Sequence, residues 1–253
     1  MIIIAFSVEV IDRETCPRYL GHYIYDVKCI ESPLWMKRRL IALGHNAINA
    51  MVDITNYVLV EMGQPMHAFD LNDLAGDGIR VRRANEGEIL VTLDEKERVL
   101  GPNNLVICDT EKAVGLAGVM GGLNSGIKDT TTEVVFEAAK FLKDNVRKTS
   151  RGLGLRSDAA ARFEKGIDEY TVECGMARAL NLAQTLGVAK ISSTKFDISG
   201  GASTEKRVIN VATAKVNEVL GFNVLEEENK IIIKEIKRTP KDITFPKISM
   251  GAT

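Results

Sequence analysis

The apolar positions fall into short blocks whose period changes along the chain. Residues 1–30 alternate brief apolar runs with polar breaks, the rhythm of half-buried strands. Ser32-Pro33 predicts a helix start, with Ser32 as N-cap and Pro33 at the first helical position. Trp35, Leu40 and Leu43 supply part of its apolar face, and Gly44 is a natural stop. A second helix is expected over 48–62. It is apolar over much of its surface, hence largely buried, and Gly63 ends it. Residues 79–115 read as short strands, among them Ile79-Val81, Glu88-Val91 and Leu105-Ile107. The glycine-rich run GLAGVMGGLNSG covers 115–126, and Val134-Val135-Phe136 is a buried strand entering Glu137. From 141 to 187 the period turns helical, with Val172, Met176, Ala179, Leu180 and Ala183 in step before Gly187.

A strand near 190–198 precedes SGGAST at 199–204, a small polar segment that predicts a domain boundary. Beyond it, Val208-Val211 resembles a strand and Ala212-Leu220 a helix stopping at Gly221; the tail from Leu225 is charged and irregular. Composition changes little in this picture. The 253 residues are 45% apolar and 26% charged, with 33 basic against 34 acidic side chains and a net charge of −1. That excludes a strongly basic nucleic-acid coat but allows a local basic patch. No apolar run approaches the roughly 18–20 residues of a membrane span. Cys16, Cys29, Cys108 and Cys174 are far apart without a CxxC pair, so a reducing cytoplasm fits best.

Familiar catalytic signatures are missing: there is no P-loop, HExxH, GxSxG or strand-borne GxGxxG. His22, His45 and His67 lack metal-ligand spacing, so no metal is expected. Three segments carry residues unusual for packing alone. In VDITNYVLVEMGQPMHAFD (52–70), Asp53, Thr55, Asn56, Gln64 and His67 sit among apolar neighbours, either as a site or as local caps. The glycine run at 115–126 offers either backbone amides to an anion or a tight turn between strands. Glu137 ends a very apolar run, so its carboxylate needs a donor, from a ligand or from a nearby arginine such as Arg162. Arg147, Lys148, Arg151 and Arg156 form a basic stretch that either meets phosphates or is a solvated face.

Five ordered pieces over about 160 residues give a specific resemblance: CPRYLG (16–21), SPLWMKRRLIALG (32–44), residues 52–70, GLAGVMGG (115–122) and LRSDAAARFEKGID (155–168). Together they resemble the central editing module of the bacterial phenylalanyl-tRNA synthetase β subunit. The resemblance implies an α+β fold, with mixed β-sheets and packed helices in two intertwined subdomains, followed by the start of a small helical domain. It implies entry strands over 1–30, a tRNA-binding and editing domain over 31–200, and a partial following domain over 201–253. It implies hydrolysis of tyrosine wrongly attached to tRNA(Phe), with aminoacylation left to the α subunit. The partners implied are tRNA(Phe) and that α subunit in the cytoplasm, with no membrane. No cofactor is implied for editing; ATP and magnesium belong only to the complete synthetase.

Residue by residue, Glu137 matches the carboxylate that recognises the tyrosine hydroxyl, and His67, Thr55 and Asn56 match polar residues of the catalytic site. Gly121 matches a pocket-wall glycine. Ser157 stands where many relatives have Thr, and Ala159 matches a small residue that leaves room for the ring. Backbone amides of Gly118, Gly121 and Gly122 are the expected oxyanion donors, and Arg147, Lys148, Arg151 and Arg156 the expected phosphate contacts. His67 would orient a water or act as base.

The chain also departs from the family. His45-Asn46-Ala47 replace the Arg and Pro usual after Gly44. The family's N-terminal tRNA-binding region and long C-terminal part are absent from the match. From Glu226 the sequence no longer follows the family, which fits a truncated, fragmentary or frameshifted end. An alternative within the same synthetase is a non-catalytic RNA-binding or subunit-docking module. Free-standing editing in trans is a third possibility, disfavoured by the near-neutral charge.

Overall fold

In a computed structural model of the chain, residues 6–199, 212–225 and 227–228 are described. The backbone divides into two compact units, 1–202 and 203–253. The first contains three β-sheets and five helices among its described residues.

A four-stranded antiparallel sheet organises the first unit. Its order is β11 (Lys190–Ser199), β2 (Arg18–Tyr25), β10 (Glu133–Lys140), β3 (Met66–Asp70). Strand parity sorts its side chains onto two faces. Leu20, Ile24, Ala68, Val134, Phe136 and Ala138 enter one core with α2 (Ala50–Met62) and α5 (Glu169–Thr185). Tyr19, Phe69 and Ala139 enter a second core, shared with a five-stranded sheet. That sheet runs β1 (Ser7–Val10), β4 (Gly78–Arg83), β7 (Leu105–Cys108), β8 (Ala113–Leu116), β9 (Met120–Gly121). A separate hairpin pairs β5 (Glu88–Val91) with β6 (Glu97–Leu100). The chain leaves one large sheet for the other and returns, so the two halves interleave as an α+β fold.

The local chemistry explains the helix limits. The buried Asn49 side chain accepts from the Met51 and Val52 amides at 3.1 Å each, capping α2, and Gly63 ends it at φ +75°. The first helix, α1 (Leu34–Ala42), starts one residue later than its sequence suggests. Pro33 is extended and occupies the N-cap position, so Ser32 does not cap the helix; its hydroxyl is buried without a partner. The helical stretch at 141–187 is three helices: α3 (Lys143–Gly152), α4 (Asp158–Phe163) and α5. Gly154 and Gly166, at φ +60° and +92°, turn the chain between them.

Within the second unit, α6 spans Thr213–Leu220 and stops at Gly221, φ +74°. The expected strand Val208-Val211 and the tail from residue 229 lie outside the described residues. No described helix is long and apolar enough to cross a membrane.

Candidate functional site

Three strands of the four-stranded sheet place one polar group on the face turned toward the second core. Glu137 on β10 is the register partner of His67 on β3 and of Gly21 on β2. Both side chains therefore share a face with Tyr19 and Phe69. Gly21 contributes no side chain opposite Glu137. The carboxylate is 5% exposed, and the phenol of Tyr19, itself at 0%, donates to Glu137 Oε2 at 3.1 Å. Burial pushes the Glu137 carboxyl up to about 8, and the Tyr19 hydrogen bond only partly offsets this. Arg162 is exposed on α4 and does not pair with Glu137; the donor is a neutral phenol.

His67 packs edge-on against Phe69, with ring centroids 4.5 Å apart. Its Nε2 is buried and has no partner, and burial pushes the imidazole down to about 4. The ring is therefore neutral at pH 7 and a weak proton acceptor. It can orient a water or a ribose hydroxyl, but general-base catalysis gains little from so low a basicity. Gly121 lies flush against this ring: a Cβ there would meet His67 Cε1 at 2.5 Å and Leu93 at 3.2 Å. The glycine run thus supplies one wall of the site, and only the absence of a side chain lets β9 approach.

The rest of that run performs structural work. Residues 116–119 form a turn in which the Val119 amide donates to Leu116 O, with Gly118 at φ +70° in the position that demands it. A Cβ on Gly118 would strike Phe141, Val146 and Phe163, so this glycine is fixed by core packing. The Gly122 amide donates to Val114 O at 2.8 Å and is not free for an oxyanion. Of the three expected donors, Gly121 alone touches the site.

Ser157 caps α4 by accepting from the Ala160 amide at 3.1 Å and donates to Val119 O at 2.5 Å. Its hydroxyl therefore ties α4 to the glycine turn, and Ala159, half-buried, packs against the same core. The α1–α2 loop reaches this helix end too, with His45 Nε2 3.8 Å from Asp158. The departure from the family at residues 45–47 thus adjoins the helix that carries Ala159.

Thr55 and Asn56 are on α2, whose Ile54, Tyr57 and Val58 pack against the other face of the sheet. Thr55 donates to Val52 O at 2.7 Å, within its own helix. Among the described residues no hydrogen bond joins either side chain to His67 or Glu137. Asp53 ties the start of α2, with its Oδ2 buried and unpartnered, and Gln64 joins three segments of the chain. Asp53 accepts from the Ile48 amide, while Gln64 donates to Pro65 O and Ala139 O and accepts from Thr171. Arg147 pairs with Asp144 at 3.0 Å, whereas Lys148, Arg151 and Arg156 are exposed and have no ion-pair partner among the described residues.

Tyr19 is the site residue that the sequence does not single out. It lies in the motif CPRYLG, and the signal for it is parity: an aromatic two positions before a glycine on a strand. Cys16 sits nearby, its thiol pushed well up by burial and by the Glu137 charge.

The B3/4 domain matches residues 15–187. The phenylalanine-tRNA ligase beta subunit of Syntrophus aciditrophicus is 42% identical over 231 residues, 91% of this chain and 29% of that protein. That of Solibacter usitatus is 45% identical over 205 residues, 81% of this chain and 26% of that protein. The chain thus spans less than a third of the length of these relatives. The crystal structure of an N-terminal fragment of the phenylalanyl-tRNA synthetase beta-subunit from Pyrococcus horikoshii superposes with a TM-score of 0.50 at 10% identity. The match covers 91% of this chain and 64% of that one, and it shows a shared fold alone. The chain belongs to the B3/4 domain family and is similar over most of its length to phenylalanine-tRNA ligase beta subunits.

Proposed function

We propose that this chain carries an editing site that hydrolyses tyrosyl-tRNA(Phe), acting beside an α subunit that performs aminoacylation. One observation carries the reading: Glu137, buried in an apolar sheet face, already accepts a phenolic hydroxyl, that of Tyr19. Tyrosine differs from phenylalanine by that same group. A carboxyl able to bond a second phenol gains a hydrogen bond from tyrosine and none from phenylalanine. A pocket built to hydrogen-bond a hydroxyl rejects the analogue lacking it by as much as about 10⁴–10⁵.

The reaction asks little of the protein. Water attacks the ester carbonyl, the bond to the terminal ribose oxygen breaks, and tyrosine and tRNA with a free hydroxyl leave. The ester is already activated, so positioning of water and substrate supplies most of the rate. Neutral His67 is the group that orients the water or the ribose. Gly121, having no side chain, lets β9 rest against the imidazole, and Ala159 leaves room for the ring. Thr55 and Asn56 are assigned no step. No cofactor takes part in hydrolysis; ATP and magnesium would serve only aminoacylation in the complete synthetase.

The test is single-turnover hydrolysis of tyrosyl- and phenylalanyl-tRNA(Phe) by this chain, beside Glu137→Ala and His67→Ala. Selective loss of the tyrosyl ester is expected, with selectivity reduced in the first variant and rate in the second. A folded chain that hydrolyses neither ester would instead favour a docking or RNA-binding module.

A further inference from the structure

We infer that Tyr19 is a positioning residue that sets the specificity of this site, holding one oxygen of Glu137 so that the other is left for a substrate phenol. The inference rests on the editing reading above.

The geometry comes from the four strands of one sheet. Across the sheet, Phe196, Gly21, Glu137 and His67 stand in one register row. Tyr19 is two residues from Gly21 on β2, on the same face, and its own partner on β10 is Ala139. Ala139 presents only a methyl, so the phenol ring can lie along the strand toward Glu137. There it donates to Oε2 at 3.1 Å. Gly21, the register partner of Glu137, has no side chain of its own; Phe196 and Val135 pack over it, 3.3 and 3.5 Å from where a Cβ would stand.

A carboxyl on a flexible side chain would otherwise rotate among orientations and offer either oxygen. The fully buried tyrosine removes that freedom. It also satisfies half of the carboxyl before a substrate arrives, so that side of the group needs no other donor. With Oε2 engaged, one oxygen remains for a ligand hydroxyl. Phenylalanine leaves that oxygen desolvated and unpaired, whereas tyrosine satisfies it.

The test uses the full chain and two probes, aminodeoxyadenosines carrying tyrosyl or phenylalanyl through an amide that cannot be hydrolysed. Calorimetry gives the preference for the tyrosyl probe. Tyr19→Phe is expected to lower that preference about tenfold and to do nothing further in a Glu137→Ala background, because Tyr19 acts only through that carboxyl. Carbon NMR of the Glu137 carboxyl gives a second readout independent of ligand. Its titration midpoint should rise in Tyr19→Phe, since an O–H donor favours the ionised form. If Tyr19→Phe does not fold, difluorotyrosine at position 19 serves instead; as a stronger donor of nearly the same shape, it should lower the midpoint and raise the preference. Unchanged preference and midpoint in a folded variant overturn the role of Tyr19 and leave the editing reading standing. A wild-type chain that fails to distinguish the two probes overturns the editing reading, and the inference with it.

Discussion

At the residue scale, the two titrating groups of one register pair are both held neutral, and their effects on stability have opposite signs. The folded-state value of Glu137 is about 8 against an ordinary 4.5. The folded chain keeps a proton there that the unfolded chain gives up, so this contribution is full below 4.5 and is lost as pH rises through 8. His67 is the reverse: its value near 4 against 6.5 gives a contribution full above 6.5 and lost as pH falls through 4. Glu137→Gln cannot ionise. It is therefore expected to be more stable than the parent at pH 9, by a few kcal/mol at most, with the gap closing toward pH 5. Urea unfolding at the two pH values checks this; a gap independent of pH would mean that the carboxyl is not held neutral. Glu137 is legible in the sequence because its neighbours are so apolar, and His67 because it lies in the motif of residues 52–70. Their pairing is not, since β3 and β10 are distant in sequence and meet only through register.

At the scale of elements, one side chain fastens α4 to the β8–β9 turn, which leads to Gly121. Ser157 performs both tasks with one hydroxyl, accepting from the Ala160 amide and donating to Val119 O. Ser157→Ala should cost about 1–2 kcal/mol, the usual worth of an N-cap. It should also loosen the turn that precedes Gly121. Ser157→Thr keeps both bonds and should be close to the parent. Thermal unfolding of the three proteins, read beside tyrosyl-ester hydrolysis, separates a cap from a direct substrate contact. If Ser157→Ala keeps full stability but loses hydrolysis, the hydroxyl touches substrate after all. The family resemblance puts Ser157 at the site as a substrate neighbour; in the structure its hydroxyl joins α4 to the glycine turn. The helix start expected at Ser32 is displaced by one position because Pro33 itself adopts the extended N-cap conformation. Asn49, an ordinary capping residue type, makes the side-chain cap that Ser32 does not.

At the scale of the whole molecule, a net charge of −1 still leaves room for a local run of exposed cations. Lys148, Arg151 and Arg156 are exposed cations at and just beyond α3, the helix that leads to the α4 clamp. If they meet the acceptor end of tRNA(Phe), Lys148→Ala with Arg151→Ala should weaken binding at low salt. The slope of log affinity against log salt should become shallower by about one for each phosphate that is no longer neutralised. Filter binding across a salt series measures this; an unchanged slope assigns the cations to solvent. The chain covers 29% of the Syntrophus relative.

The sequence by itself determined the periodic elements, the buried character of α2, the glycines that stop helices and the family. All of these depend on neighbours within a few residues or on the order of short motifs. Tertiary structure decided which of the motif residues share a face of the sheet. Strand parity put Glu137, His67 and Tyr19 on one face, while α2 packs on the other, carrying Thr55 and Asn56. Long-range packing likewise chose among the glycines: Gly118 is held by aromatic rings, the Gly122 amide is engaged by Val114, and Gly121 alone rests on His67. One-residue steps along a strand reverse the direction of a side chain, so which side chains meet turns on register, which only the assembled sheet fixes.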